Sequence, residues 1–281
     1  MNSTRTLPRV TTLGVWAVLV FGFLYAPILT IGVFSFMENS SSSLPLQGFT
    51  WAWYEAALSN SEMLTALWNS VVVASGAVVI AISLGVPAAV LIHRYPFPGK
   101  DLFRRFVLLP LVLPGVITGV AFLTFYSALG IPLTLTGVMI AHGTALTSTV
   151  LTTCYARLLR LGGTVEEASM DLGASRWKTF WHTTVPQLRV AILASALLSF
   201  TLSFDEIPVT FFIIGTENTL PIYIYSALRK GFTPEINAVS TLVILVSVIL
   251  IVISTRLTRE TAAVAPGTVD VASTTSSKET P

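Results

Sequence analysis

Two adjacent carboxylates, Asp205 and Glu206, stand inside the apolar run LLSFTLSFDEIPVTFFIIG. At membrane depth a carboxylate costs roughly 3 kcal/mol on insertion scales, so it is either paired or turned to an aqueous cavity where it can hold a cation. No expected spanning segment supplies an Arg or Lys to pair with them. Ser203 adds a hydroxyl, and Pro208 removes an amide and frees a carbonyl of the preceding turn. Neighbours on a regular helix point about 100° apart, so a proline break is what would let both acids share a face. Together these oxygens would suit separated ammonium groups, with Asp205 the expected contact of the two. Trp53 and Tyr54, in TWAWYEAAL, suit the headgroup level, and either ring also offers a face to an ammonium.

Other reactive residues do not assemble. Cys154 and His142 lie twelve residues apart on one expected helix, too far for a nucleophile and its base. Cys154 reads as a small packing residue and His142 as a hydrogen-bonded structural histidine. The stretch GASRWKT has Trp177 where a phosphate loop requires glycine before its lysine, and no strand precedes it. Neither catalysis, nor a metal site, nor a nucleic-acid partner is expected, and this chain should bind no cofactor of its own.

The elements that position the acids follow from composition. Of 281 residues, 53% are hydrophobic and 11% charged, with mean hydropathy +0.77. Soluble domains carry about 25% charged residues, so the chain reads as an all-α membrane protein. A span needs about 20 apolar residues, and six runs qualify, near 13–36, 69–92, 106–129, 135–156, 190–214 and 236–256. The first is too long for a secretory signal and lacks a clear cleavage site, so it reads as a retained helix. Arg and Lys gather before the first run, in the second and fourth connections, and after the last. The other connections carry only Arg229 and Lys230. The positive-inside rule then places both termini in the cytoplasm, and six spans give the matching parity. A cytoplasmic segment 1–12, a transmembrane domain 13–259 and a disordered Thr/Ser-rich tail 260–281 are expected. With its helix starting near Val190, Asp205 would lie about 22 Å along it, just outside the midplane.

The cytoplasmic connection at about 157–189 has its own pattern, RLLRLGGTVEEASMDLGASRWKTFWHTTVPQLRV. Gly162 and Gly163 allow a turn, Thr164 and Glu167 have capping-box spacing, and Gly173 falls where a left-handed cap would stop the helix. Ser175 can cap a second helix expected to end near Pro186. In the third run, Gly115 and Gly119 have the spacing of a close-packing face. Pro234 is expected to open the last helix, with Thr233 as its cap.

The loop EEASMDLGASRWKTFWHTTVP resembles the signature of ABC importer permeases: Glu-Ala-Ala, three residues, Gly, and a terminating Pro. Glu167, Ala168, Gly173, Ala174, Phe180 and Pro186 match it. Ser169 replaces the second alanine, and Thr183 stands where an aliphatic residue is usual. FLYAPILTIGVFSF, GFTWAWY and SFDEIPVTFFIIG…TPEINAVSTL are similar to the spermidine/putrescine permease family, nearest its C-type subunit.

That resemblance implies the type I importer transmembrane fold in a bacterial inner membrane and a loop docked on an ATP-binding subunit. It also implies a second homologous permease subunit, two ATP-binding subunits that carry the nucleotide, and an external substrate-binding protein. Glu167, Ala168, Ser169, Gly173, Ala174 and Pro186 become the coupling residues, and Asp205, Glu206, Ser203 and Trp53 the substrate candidates. Glu167 can cap its own helix or meet a basic residue of the partner. A permease for a thiamine-, opine- or aminophosphonate-like solute is the alternative, and an ion-coupled secondary transporter the more distant one.

Overall fold

The computed structural model describes residues 9–38, 48–230, 234–245, 248 and 249, with no strand among them. The expected tail 260–281, the serine connector at 39–47, residues 1–8 of the N-terminal segment and the Thr233 cap lie outside the described residues. In chain order the helices are α1 (Arg9–Phe34), α2 (Ala52–Ser59), α3 (Ser61–Arg94), α4 (Lys100–Leu108) with a 3-10 turn at Leu109–Leu111, α5 (Gly115–Leu129) and α6 (Leu135–Leu161). Then come α7 (Thr164–Asp171), α8 (Arg176–Thr179) running into a π-helical segment Phe180–Thr184, α9 (Val185–Phe204), α10 (Pro208–Ile213), α11 (Leu220–Lys230) and α12 (Pro234–Leu245).

The chain divides into two units, Leu58–Phe232 and Met1–Ala57 with Thr233–Pro281. In the latter, α1 exposes apolar side chains all round, Trp16 and Phe23 among them, as a helix facing lipid does. Its end meets an aromatic cluster. Phe36 stacks on Phe49 with centroids 5.1 Å apart, and Trp51 and Tyr54 complete the group. The Trp53 indole N–H donates to the Met37 carbonyl at 2.7 Å. α2 is the short helix expected from TWAWYEAAL.

The unit Leu58–Phe232 is built on the pair α3 and α6. Ala77, Ala81, Gly85 and Ala89 recur every fourth residue of α3 and are all buried. A Cβ on Gly85 would stand 2.7 Å from the Val150 Cβ and 2.9 Å from the Thr147 carbonyl oxygen, so the backbones approach as small residues permit. Gly143 repeats this in the other direction, with the Ile80 Cβ 2.6 Å from its would-be Cβ. Gly85→Val should therefore overpack the crossing and cost about 1–3 kcal/mol. A lower melting temperature of the detergent-solubilised protein is the readout, and an unchanged one would mean the helices part freely.

Among the described residues three stretches are long and apolar enough to cross a membrane: Leu13–Phe34, Ser61–Arg94 and Arg176–Phe204. A fourth is counted if α4, its 3-10 turn and α5 are taken as one span bent by 107°. The straight span expected at 106–129 is thus broken. Pro110 and Pro114 remove amides from the helical ladder, and Pro114 itself is extended, with ψ 136°. The expected span at 135–156 is a continuous helix of lower hydropathy, because it is the buried centre of the unit. Its hydroxyls return to its own carbonyls: Thr147 to Gly143 at 2.9 Å, Thr152 to Ser148 at 3.0 Å and Thr153 to Thr149 at 2.9 Å. Cys154 is fully buried there, as a packing residue should be. Of the last expected span, 236–256, the described helix is Pro234–Leu245, and the residues before Pro234 that would show where it opens lie outside the described residues.

The run expected at 190–214 departs most. Its helix starts within the connection at 157–189, at Arg176, passes Pro186 without ending, and stops at Phe204. Pro186 sits in the first turn of α9, immediately after the π-helical turn Phe180–Thr184. That wider turn supplies the room a proline ring denies a regular helix. The expected terminator is therefore a pass-through.

Candidate functional site

The acids lie where α9 gives way to α10. Asp205 still donates its amide to the Thr201 carbonyl at 3.2 Å, but the helical ladder stops there. Pro208 opens α10, and Glu206 folds over that opening. The Val209 amide donates to Glu206 Oε1 at 2.9 Å and Oε2 at 3.0 Å, and the Thr210 amide to Oε2 at 3.0 Å. A carboxylate over the orphan amides of a proline-opened helix is a sequence-readable start signal, which the EIPVT segment carried all along.

α6 contributes His142, only 3% exposed. Its Nδ1 lies 2.8 Å from Ser203 Oγ, and its Nε2 lies 3.0 Å from Thr210 Oγ1 and 3.3 Å from Glu206 Oε2. His142 is hydrogen-bonded on both ring nitrogens, as expected of a structural histidine. Thr210, which the sequence did not single out, ties the set together through bonds to Glu206 Oε2 and the Glu206 carbonyl. Its position four residues after Glu206 was the available signal.

A cavity of about 220 Å³ opens beside this cluster, lined by Leu111, Gly115, His142, Thr149, Ser203 and Glu206 among others. The bend before α5 and the break before α10 face each other across it. A Cβ on Gly115 would lie 3.0 Å from Pro208 Cβ and 3.6 Å from Glu206 Oε1, and one on Gly119 only 2.9 Å from the Pro208 carbonyl oxygen. The small-residue face of the third run is thus an internal contact that brings α5 against α10. Glu206 Oε2 is crowded with donors, whereas Oε1 takes only the Val209 amide. A carboxylate accepts about four hydrogen bonds, so Oε1 keeps capacity for a cation in the cavity. Asp205 is exposed and is not among the lining residues. Trp53 belongs to the other unit, with its N–H already used.

The connection at 157–189 forms helix, glycine turn, helix. Gly173 has φ +86°, its amide donates to Met170 at 2.9 Å, and the Ala174 amide donates to Ser169 at 3.2 Å. Those two bonds make a complete Schellman cap of α7. Ser175 caps the next helix through the Lys178 amide at 3.3 Å. The capping box is absent: Thr164 is the first helical residue and Gly163 the N-cap, with no side-chain cap bond. Gly162, at φ +66°, turns the chain one residue before the position a Thr164 cap would need. The two departures from the signature meet each other, since the Thr183 hydroxyl donates to Ser169 Oγ at 3.5 Å and Ser169 Oγ lies 3.2 Å from Thr179 Oγ1. Val165, Ala168, Ser169, Gly173, Ala174 and Thr183 border an open depression of about 430 Å³. Beside it Leu172 is 90% and Trp177 71% exposed, an apolar surface left open to the outside. Glu167 is exposed on α7.

The model of the family described as binding-protein-dependent transport system inner membrane component matches residues 59–260. The putrescine transport system permease protein PotI of Escherichia coli K12 is 38% identical over 233 residues, covering 80% of this chain and 82% of its own. The spermidine/putrescine transport system permease protein PotC of Haemophilus influenzae is 32% identical over 242 residues, covering 86% and 94%. Among solved structures, a bacterial ABC transporter involved in the import of the acidic polysaccharide alginate superposes with a TM-score of 0.68 at 17% identity, over 92% of this chain and 99% of that one. That likeness is one of fold.

Proposed function

The chain belongs to the family of binding-protein-dependent transport inner membrane components, and from that premise we propose that it is the permease subunit of an ABC importer for a putrescine- or spermidine-like polyamine. Membership makes it a multi-pass inner membrane protein of a transport system. The observation that carries the cargo assignment is the cavity-lining carboxylate of Glu206, with one oxygen open to a donor. A primary ammonium satisfies that oxygen, whereas an anionic cargo would be repelled by it. Identity to PotI and PotC supports the same sign of charge.

In this reading six spans place both termini in the cytoplasm, as the Arg and Lys distribution favours. The connection at 157–189 then faces an ATP-binding subunit, which takes the Leu172 and Trp177 surface and the depression lined by Ala168, Ser169, Gly173 and Ala174. A second permease subunit, two ATP-binding subunits and an external binding protein complete the assembly, and the nucleotide stays on the ATP-binding subunits. The chain itself is no enzyme. Because Arg176–Phe204 is one helix, the connection that receives the ATPase stroke and the helix end at Phe204, two residues before Glu206, move as one rod.

The test is ATP-dependent uptake of labelled putrescine into proteoliposomes holding the whole transporter. Unlabelled spermidine should compete, while thiamine and sulfate should not. Equal competition by thiamine or sulfate would remove the polyamine assignment, and uptake that survives without ATP but collapses with the proton gradient would remove the importer itself.

A further inference from the structure

α7 has a soft backbone at both ends. Gly162 and Gly173 hold φ +66° and +86°, and no non-glycine residue among those described has positive φ. Glycine turns transmit displacement poorly because alternative backbone conformations cost them little. Side chains supply the missing stiffness at one point. Glu166, in the first turn of α7, forms an ion pair with Arg94, the last residue of α3. Thr184, at the end of the π-helical turn and 1% exposed, donates to Glu166 Oε1 at 2.7 Å and accepts from Arg94 Nη2 at 2.6 Å. The Arg94 and Glu166 side chains are 19% and 12% exposed, so the pair is largely shielded from salt.

The next residue extends the grip. The Arg176 guanidinium lies over the Tyr95 ring, 5.7 Å from its centroid. Consecutive residues at the end of α3 therefore hold the helices on either side of Gly173. Arg94 Nε is buried without an acceptor among the described residues, so the guanidinium is only partly satisfied.

We propose that the Arg94–Glu166–Thr184 joint is the positioning element that carries displacement of α7 into α3 and α9, while the neighbouring Glu167 is left for the partner surface. Without the joint α7 would swing on its glycines. With it, α7 is tied to the helix whose small-residue face packs on α6 and to the rod that ends at Phe204, just before Glu206. The inference rests on the transport family and not on the identity of the cargo.

The experiment measures ATP hydrolysed and cargo delivered by the same proteoliposomes of the whole transporter. Glu166→Gln and Arg94→Gln should each lower cargo delivered per ATP by about threefold to thirtyfold, the range for positions that modulate coupling. The KM for the loaded binding protein should stay constant, which a merely misfolded subunit would not allow. The swap Arg94→Glu with Glu166→Arg should recover at least part of the ratio, and Thr184→Val, which removes the bridging hydroxyl and keeps both charges, should lower it to a lesser degree. Unchanged delivery per ATP in Thr184→Val and in either charge variant overturns the proposal, as does a swap no better than the single variants. A wild type that needs no ATP would instead defeat the importer reading, which separates the two failures.

Discussion

Glu206→Gln should reduce uptake of a polyamine by about tenfold to a hundredfold, the equivalent of one charge-assisted contact of about 1.5–3 kcal/mol. The choice of glutamine matters. With its carbonyl oxygen at the Oε2 position it still accepts from the Val209 and Thr210 amides, so the start of α10 is kept, while an uncharged NH2 replaces the oxygen that faces the cavity. Alanine would remove cap and charge together and confound the two. Asp205→Asn is the internal control, because Asp205 is exposed and outside the cavity lining. Initial rates of labelled putrescine uptake, with membrane abundance measured in parallel, decide the matter. If Glu206→Gln transports with unaltered KM and rate, the carboxylate is a helix cap and nothing more. If Asp205→Asn shows the larger loss, the cavity is not the path.

The reversal of emphasis between those two acids shows what the sequence could and could not tell. Composition and apolar runs placed the acids in a membrane helix, and Pro208 foretold a break there. Which acid would turn inward depended on where α9 stops. A helix continuing past Phe204 would have set Asp205 and Glu206 about 100° apart with no preference between them. It is the capture of Glu206 by the amides of α10, and the approach of Gly119 to the Pro208 carbonyl, that fixes the answer. His142 was legible only as a polar residue that needed partners, since Ser203 and Thr210 lie 61 and 68 residues away in sequence.

The connection at 157–189 was more readable, because glycine signals are local. The left-handed cap at Gly173 and the Ser175 cap both formed where the residues asked for them. Pro186 was misleading for an equally local reason: the wide turn at Phe180–Thr184 absorbs the proline. No residue pattern announces a π-helical turn, so a stop signal became the splice between two expected helices. Glu166 was overshadowed by its neighbour Glu167, which matches the family signature. The bond from Glu166 to Arg94 spans 72 residues and has no trace in local spacing.

Gly173→Pro combined with Glu167→Ala should abolish ATP-dependent uptake while leaving the amount of protein in the membrane unchanged. Gly173 sits at φ +86°, and proline is held near −65°, so the ring cannot occupy the turn at all. It also lacks the amide that donates to Met170, and α7 loses half of its Schellman cap. The chain must then leave α7 in another direction, which displaces Leu172, Ala174 and the rod that begins at Arg176. Glu167→Ala removes the exposed carboxylate of the signature and adds no strain of its own. Insertion is spared because the apolar stretches Leu13–Phe34 and Ser61–Arg94 are untouched. Gly173→Ala grades the effect: a left-handed alanine costs about 1–2 kcal/mol, so uptake should fall without vanishing. Both variants are compared by uptake and by ATP hydrolysis stimulated by the loaded binding protein. A double variant that transports at the wild-type rate would show that the ATPase stroke enters elsewhere. If stimulated hydrolysis persists while uptake is gone, the partner still docks, and the failure lies in the transfer of displacement from α7 to the rod.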